Sequence, residues 1–222
     1  MMISVIIPAY NAGKKIHETV QAIKNTRLID EIFVVDDGSK DDTADQAASA
    51  GAKILRHHKN LGKGSALNTA AGQVQGDVIV LLDADLGESA QKFTRLLSPI
   101  FANEADVTLA KFPPPPVPGG FGLVKKLAAA GTWRLTGRKI SCPLSGQRAM
   151  TKQVFTSILP FARGYGVEVA ANVDILKNGW RLKEVEIEMV HDFSRRDFAG
   201  FMHRGRQFYD IFRTLVQKSL GE

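Results

Sequence analysis

The sequence predicts an α/β protein with a mostly parallel sheet flanked by helices. In the first half of the 222 residues, short runs rich in Val and Ile alternate with segments of helical periodicity, which is the pattern of βαβ units. Two carboxylates follow one of these runs, in the segment VLLDADL at residues 80–86. Because such sheets bind ligands beyond the carboxyl ends of their strands, the fold class also predicts where a functional site lies.

The predicted strands of this half alternate with predicted helices. The first, residues 3–7, is β-branched and ends at Pro8, as expected of a buried parallel strand. The later strands are residues 31–35, 53–56, 77–82 and 106–110. The helices are residues 14–25, a segment capped by residues 39–43 that runs to Ala50, residues 64–73 and residues 89–103.

The composition changes after residue 112. Residues 113–120 contain four consecutive prolines and a Pro-Gly-Gly run, which exclude a helix or a central strand. Beyond them we predict an apolar and basic segment at 121–138, a helix at 166–177 and a half-buried strand at 182–190. The last segment, residues 195–220, predicts an amphipathic helix. Four arginines surround its apolar positions: Arg196, Arg204, Arg206 and Arg213.

The charge is distributed unevenly along the chain. The formal net charge is +6, but residues 1–111 carry 12 basic and 14 acidic side chains, and residues 112–222 carry 17 and 9. Between Phe112 and Val167 there are eight basic side chains and no acidic one, which predicts an anionic partner at one place on the protein. A nucleic-acid-binding module is disfavoured because the half with the paired carboxylates is net acidic.

The single cysteine, Cys142, excludes an internal disulfide and a multi-cysteine zinc site. It also favours a cytoplasmic location. No apolar run approaches the roughly 20 residues that a membrane span requires.

Asp83 and Asp85 carry the strongest chemical signal. Two carboxylates one residue apart at the end of a buried strand can both face the ligand crevice, where hard oxygen ligands suit Mg²⁺ or Mn²⁺. The alternative is a strand end at which an aspartate caps the next helix.

Two further signals lie at neighbouring strand ends. The residues after the first and second strands predict contacts with a base and a ribose: Pro8, Ala9, Tyr10, Asn11, Asp36 and Asp37. Lys63, in a glycine-containing loop at the start of a helix, is suited to a diphosphate. Neither a P-loop nor a Gly-x-Gly-x-x-Gly motif is present, which disfavours an NTPase or a dehydrogenase.

In this order, the motifs resemble those of the nucleotide-sugar glycosyltransferases with the GT-A fold, especially family 2. The resemblance lies in IIPAYN, VVDDGSKDDT, NLGKGSALNTAAG, VIVLLDADL and PLSGQRAM. It implies a nucleotide-sugar-binding half at residues 1–111 and an acceptor-binding half with the final helix at residues 112–222, within one domain. It also implies that the donor is bound by Pro8, Ala9, Tyr10, Asn11, Asp37 or Asp36, Lys63, Asp83 and Ala84, and the metal by Asp85.

The second half looks like the glucosyl-3-phosphoglycerate synthases, whose donor is UDP-glucose. The matching parts are Pro-Leu-Ser-Gly at 143–146, Gly-Tyr-Gly-Val-Glu at 164–168 and His191. They imply that His191 is a second metal ligand. They also imply that Tyr165 and Glu168 contact the sugar or the acceptor. Together with the basic block from Lys125 to Arg148, which we expect to attract a phosphate-bearing acceptor, they predict an acceptor side of Lys125, Leu144, Ser145, Gly146, Arg148, Tyr165 and Glu168. The acceptor-binding Gly-Arg-Val-Thr stretch of those synthases is Gly-Leu-Val-Lys here, at residues 122–125. Its arginine is therefore missing, and Lys125 or Lys126 is expected to supply a point charge instead.

The predicted function is metal-dependent transfer of a hexose, glucose from UDP-glucose, to a phosphate-bearing acceptor such as 3-phosphoglycerate. Asp85, Lys63 and Glu168 are the candidate catalytic residues. The segment Ser-Gly-Gln-Arg-Ala at 145–149 also resembles polyprenyl-phosphate glycosyltransferases, which gives an alternative acceptor. A non-catalytic nucleotide-sugar-binding protein is the other alternative.

The final helix has two interpretations. It packs against the sheet or against a second subunit, or it lies on an anionic membrane.

Overall fold

A computed structural model describes residues 1–113, 122–189 and 198–221 of the chain, without the side chains of residues 198–204. The strands are β1 (Ile3–Ala9), β2 (Glu31–Asp36), β3 (Lys53–Arg56), β4 (Val78–Leu81), β5 (Val107–Lys111), β6 (Arg148–Thr151) and β7 (Leu182–Glu186). The α-helices are α1 (Gly13–Lys24), α2 (Thr43–Ser49), α3 (Lys63–Ala71), α4 (Thr94–Phe101), α5 (Leu123–Thr136), α6 (Lys152–Ser157), α7 (Val167–Lys177) and α8 (Phe198–Leu220). Two 3-10 helices occupy Gly87–Phe93 and Gly164–Gly166.

These strands form one sheet in the order β3-β2-β1-β4-β6-β5-β7. β6 is antiparallel to both of its neighbours, β4 and β5, and the other pairings are parallel. Strands from both halves of the chain therefore share the sheet. The mostly parallel α/β architecture predicted from the sequence is confirmed.

The strands between the edge strands β3 and β7 are buried on both faces because helices cover both. Val5 and Ile7 of β1 pack with Val20 of α1, in a cluster that also includes residues of α2 and α4. Ile6, whose side chain points to the opposite face, packs with Leu67 of α3, in a cluster that also includes residues of α6 and α7.

Most predicted elements of the first half agree with the structure to within about two residues, and two predictions need correction. Residues 89–103 were expected to form one helix, but the chain forms a 3-10 helix at Gly87–Phe93 and then α4. β7 ends at Glu186, four residues before the predicted end. Neither β6 nor α6 was predicted, since β6 has four residues and lacks a continuous apolar run. The predicted start of α8, residues 195–197, lies outside the described residues.

Helix α8 is held against α5 and α7. Ile211 and Leu215 form a buried cluster with Ala128 and Val169, and Lys218 Nζ lies 2.9 Å from Asp174 Oδ2. The opposite face of α8 carries an exposed apolar stripe: Tyr209, Phe212, Val216 and Leu220. Across the described parts of the chain, no helix combines the length and the apolar character needed to cross a membrane.

Candidate active site

The carboxylate of Asp37, just after β2, holds the loop that leads into α3. Its Oδ1 accepts a hydrogen bond from Leu61 N at 2.9 Å and its Oδ2 accepts one from Gly62 N at 2.8 Å. The Nδ1 of His57 lies 2.6 Å from Oδ1. Asp37 is buried, so these bonds are shielded from water. They fix the backbone immediately before Lys63.

Asp36 and Asn11 stabilise the turn that follows β2. Asp36 Oδ1 accepts from Ser39 N at 3.0 Å, and Asn11 Oδ1 accepts from Lys40 N at 2.9 Å. Of the two aspartates predicted as alternative nucleotide ligands, Asp37 lines a cleft together with Pro8, Ala9 and Tyr10. Asp36 does not line that cleft, because its side chain turns back to Ser39.

Lys63 lies between two carboxylates from opposite halves of the sequence. Its Nζ is 2.7 Å from Asp83 Oδ1 and 2.9 Å from Glu168 Oε1. Burial would lower the pKa of Lys63, but the negative charges of Asp83 and Glu168 outweigh burial and raise the pKa above its ordinary value. Lys63 is therefore a fixed cation at neutral pH.

Gly146 makes this arrangement possible by lacking a side chain. A Cβ at Gly146 would lie 2.4 Å from Lys63 Nζ and 3.0 Å from Asp83 Oδ1. The next residue, Gln147, donates a hydrogen bond from Nε2 to Asp83 Oδ2. Asp83 is therefore held from both sides, by the first residue of α3 and by the segment before β6.

Arg148 differs from its prediction as an acceptor ligand. Its side chain is buried, with 2% of the residue exposed. It donates to Ser145 O at 2.8 Å and to Asn172 Oδ1 at 3.3 Å. Burial lowers the pKa of Arg148, and the charges of Glu168 and Asp83 act against this effect. Arg148 thus stabilises the segment that contains Gly146, and it lines neither of the two clefts described next.

Two clefts meet at Pro8 and Tyr10, which line both. The first has a volume of about 490 Å³ and brings together the end of β1, residues 60–63, residues 164–168 and α8. The second has a volume of about 520 Å³ and runs between residues 10–15 and Asp83, Ala84 and Asp85. The predicted donor residues other than Asp36 thus line one or both of these clefts.

The second cleft offers hard oxygen donors for a divalent cation. Asp83 and Asp85 both line it, and Thr19 supports their loop by donating to Ala84 O at 3.0 Å and accepting from Gly87 N at 2.8 Å. The residues that the structure describes contain no group of three His, Cys, Asp or Glu side chains that could hold a metal. The predicted second ligand, His191, lies outside these residues.

The other residues predicted to bind the acceptor differ in whether they line a cleft. Tyr165 and Glu168 line the first cleft. Ser145 is buried and Leu144 is partly buried in the segment that contains Gly146. Lys125 is exposed on α5 and lines neither cleft, because the buried face of this helix points toward α7 and α8.

Several residues near the site were not predicted from the sequence. His57 and Gln147 orient Asp37 and Asp83, and Asn172 donates to Pro143 O at 2.9 Å. Arg206 and Asp210 of α8 line the first cleft. A polar residue within the small and apolar run Val-Ala-Ala-Asn-Val at 169–173 was a usable signal for Asn172. Nothing local distinguishes Arg206 from the other arginines of α8.

The sheet order, the antiparallel β6 and the acidic residues after β4 together define a protein of the GT-A fold class. Residues 4–159 match the family model of glycosyl transferase family 2. This match covers more than half of the chain, and the chain belongs to that family.

The relatives in this family include glucosyl-3-phosphoglycerate synthases. The one from Mycolicibacterium smegmatis is 32% identical over 192 residues, which cover 78% of this chain and 63% of the relative. An uncharacterized protein of Methanocaldococcus jannaschii is 29% identical over 231 residues, covering 97% of this chain and 92% of that protein. The chain thus spans about three fifths of the length of the curated synthases it matches first.

The fold agrees with a solved structure over nearly the whole chain. Glucosyl-3-phosphoglycerate synthase from Mycobacterium tuberculosis, in complex with Mn²⁺, UDP and glucosyl-3-phosphoglycerate, matches with a TM-score of 0.82 and 27% identity. The match covers 97% of this chain and 79% of the synthase. The predicted GT-A fold and the predicted resemblance to this group are confirmed.

Proposed function

We propose that the protein transfers glucose from UDP-glucose to a phosphate-bearing acceptor such as 3-phosphoglycerate, with Mg²⁺ or Mn²⁺ bound. The observation that carries this proposal is the position of Lys63, which bridges Asp83 on the donor side and Glu168 on the predicted acceptor side. Support also comes from the synthase of Mycobacterium tuberculosis, solved with Mn²⁺, UDP-glucose and phosphoglyceric acid.

The donor chemistry follows from the residues along the clefts. Tyr10, which is 47% exposed, offers a ring face to a base, and Asp83 accepts from ribose hydroxyls. Asp85, with the donor diphosphate, would hold the divalent cation, which when bound neutralises negative charge on the departing nucleotide. Lys63 supplies a further fixed positive charge where the donor and acceptor sides meet.

Glu168 binds hydroxyl groups of the sugar or the acceptor in this proposal. It stands in the first turn of α7, where the positive end of the helix dipole favours a carboxylate. Its ion pair with Lys63 also fixes its orientation. Tyr165, three residues earlier, lines the same cleft as Glu168.

A transfer assay with purified protein tests the proposal. We expect glucose transfer from UDP-glucose to 3-phosphoglycerate that requires Mg²⁺ or Mn²⁺, and a loss of about 100-fold in Asp85→Asn. The matched control is Asp45→Asn, since Asp45 is an exposed surface residue that lines neither cleft. Equal turnover in both variants contradicts the role of Asp85.

The choice of acceptor is tested in the same assay. Transfer to polyprenyl phosphate in place of 3-phosphoglycerate supports the alternative acceptor. If nucleotide sugars raise the melting temperature of the protein but neither transfer nor donor hydrolysis occurs with either metal, the protein is a non-catalytic nucleotide-sugar-binding protein.

For α8 we propose that the exposed stripe of Tyr209, Phe212, Val216 and Leu220 contacts a second copy of the chain. Exposed aromatic and aliphatic side chains at one helix face are typical of a contact surface. Sedimentation of wild type and Tyr209→Ser/Phe212→Ser tests it, with a shift toward monomer expected in the variant. A monomeric wild type that floats with anionic liposomes indicates the membrane instead. The cytoplasmic location stays a prediction from the sequence.

A further inference from the structure

We propose that Arg206 of α8 binds the anionic group of the acceptor, a phosphate or carboxylate, in the first cleft. This inference rests on the proposed transferase function and names the residue that recognises the acceptor charge. It assigns a binding role to a helix that the sequence predicted only as a packing or membrane element.

The position of Arg206 follows from how α8 is fixed. Thr214 packs so closely that a Cβ on Gly166 would lie 2.0 Å from its Oγ1. One turn earlier, Asp210 Oδ2 accepts a hydrogen bond from Tyr165 N at 3.1 Å. Arg206 is four residues before Asp210, hence on the same side of the helix, and both residues line the first cleft.

The other charged groups of this cleft are engaged by the protein itself. Asp37 accepts from two backbone N–H groups and lies against His57. Lys63 is paired with two carboxylates, one of which is Glu168. Within the described residues, by contrast, no hydrogen bond or ion pair engages the guanidinium of Arg206. Its charge is therefore available to a ligand.

The chemistry of Arg206 suits an oxyanion. A guanidinium presents a planar set of N–H donors that matches a phosphate or a carboxylate with two parallel hydrogen bonds. The residues predicted to take this role are elsewhere: Arg148 is buried below the site and Lys125 is outside both clefts. Asp85, the proposed metal ligand, lines the second cleft. Arg206 thus lies in a different cleft from the proposed metal ligand.

The test compares Arg206→Gln with Arg206→Lys and a matched control, Arg213→Gln, which removes an exposed arginine of α8 that lines neither cleft. For each protein we would measure kcat and KM for UDP-glucose and for 3-phosphoglycerate, and the dissociation constant of 3-phosphoglycerate by calorimetry with UDP and Mn²⁺ present. Arg206→Gln is expected to weaken acceptor binding roughly ten- to hundredfold. KM for UDP-glucose should stay within about twofold. Arg206→Lys should be intermediate, because it keeps the charge and loses the paired donors.

The outcomes separate this inference from the proposed function. A wild type that transfers glucose, with Arg206→Gln matching Arg213→Gln in acceptor binding, overturns the inference and leaves the function intact. A selective loss of UDP-glucose affinity also overturns it, since the anion recognised is then on the donor. A wild type that binds 3-phosphoglycerate without turnover, with binding lost in Arg206→Gln, supports the inference while the transferase proposal fails. Absence of 3-phosphoglycerate binding in the wild type contradicts both.

Discussion

Lys63 and Glu168 are 105 positions apart in the sequence, and their side chains form an ion pair of 2.9 Å between Nζ and Oε1. The same ammonium contacts Asp83. A single cation therefore joins the loop after β4, whose Asp83 lines the second cleft, to the starts of α3 and α7, which line the first.

The first prediction concerns this cation. Lys63→Met should lower kcat about 100-fold, because it removes the fixed positive charge and leaves Asp83 and Glu168 to repel each other. In Lys59→Met, which changes an exposed lysine of the loop before α3, steady-state kinetics should stay within about twofold of wild type.

The raised pKa of Lys63 makes a second prediction, on pH dependence. A pKa raised in the folded state stabilises the fold below the ordinary lysine value, and this contribution is lost only as the pH rises through the raised value. Between about pH 6 and 9 the ammonium therefore stays charged. The profile of kcat against pH in that range should have the same shape in Lys63→Arg as in wild type. A rise or fall of kcat with pH that is present in the wild type and absent in Lys63→Arg contradicts this assignment.

The third prediction uses the missing side chain of Gly146. Gly146→Ala should reduce kcat about 100-fold, since the new Cβ displaces Lys63 or Asp83 from its position. Gly72→Ala is the control, because Gly72 has a helical backbone and no atom within 4 Å of an added Cβ. Circular dichroism should show both variants folded. Unchanged kinetics in Gly146→Ala would mean that the Lys63–Asp83 contact does not matter for catalysis.

The fourth prediction distinguishes support from ligand contact at Arg148. Arg148→Met leaves Ser145 O and Asn172 without their donor and removes a buried charge near Glu168, so the free energy of unfolding should fall by about 2 to 4 kcal/mol. Urea denaturation measures this change. Arg138→Met, at an exposed position, should leave stability unchanged. A stable Arg148→Met protein with only a raised acceptor KM would restore the original ligand prediction.

The fifth prediction concerns Glu31, which is buried at the start of β2. Burial raises its pKa, but hydrogen bonds from Ser4 Oγ at 2.6 Å and Gln75 N at 2.8 Å, with the Lys53 ion pair, lower it overall. A lowered pKa stabilises the fold above the ordinary glutamate value, and this stability is lost as the pH falls through the lowered value. Glu31→Gln should therefore cost about 1 to 2 kcal/mol at pH 7.

Measurements of stability at acid pH test the role of Glu31. The stability difference between Glu31→Gln and wild type, measured by urea denaturation, should shrink as the pH is lowered through the acid range. Glu104→Gln removes an exposed partner of Lys183 and should behave as wild type throughout. A difference for Glu31→Gln that is independent of pH would contradict the linkage.

The parallel part of the fold could be predicted because most of its strands are marked by a local apolar run, as in Ile3–Ala9 of β1. β7 is marked instead by apolar residues that alternate with glutamates. The antiparallel β6 could not, since four residues beginning with a buried arginine have no distinct periodicity. The site residues likewise divide into those that local sequence marks and those that it does not. Asp83, Asp85 and Lys63 stand at recognisable ends of elements, whereas Arg206 reaches the cleft only because α8 folds back on Gly166, a contact between residues distant in sequence.

The antiparallel pairing of β4 with β6 places Leu81 opposite Arg148. The chain leaving one strand and the chain entering the other therefore come together at a single point, where Gln147 meets Asp83. Grafting residues 112–222 of another family member onto this N-terminal half would exchange the partner of Asp83 along with the proposed acceptor residues. The donor and acceptor preferences proposed above should therefore not be exchangeable one at a time. We expect chimeric proteins to require matched changes in the segment after β4 and in the segment before β6.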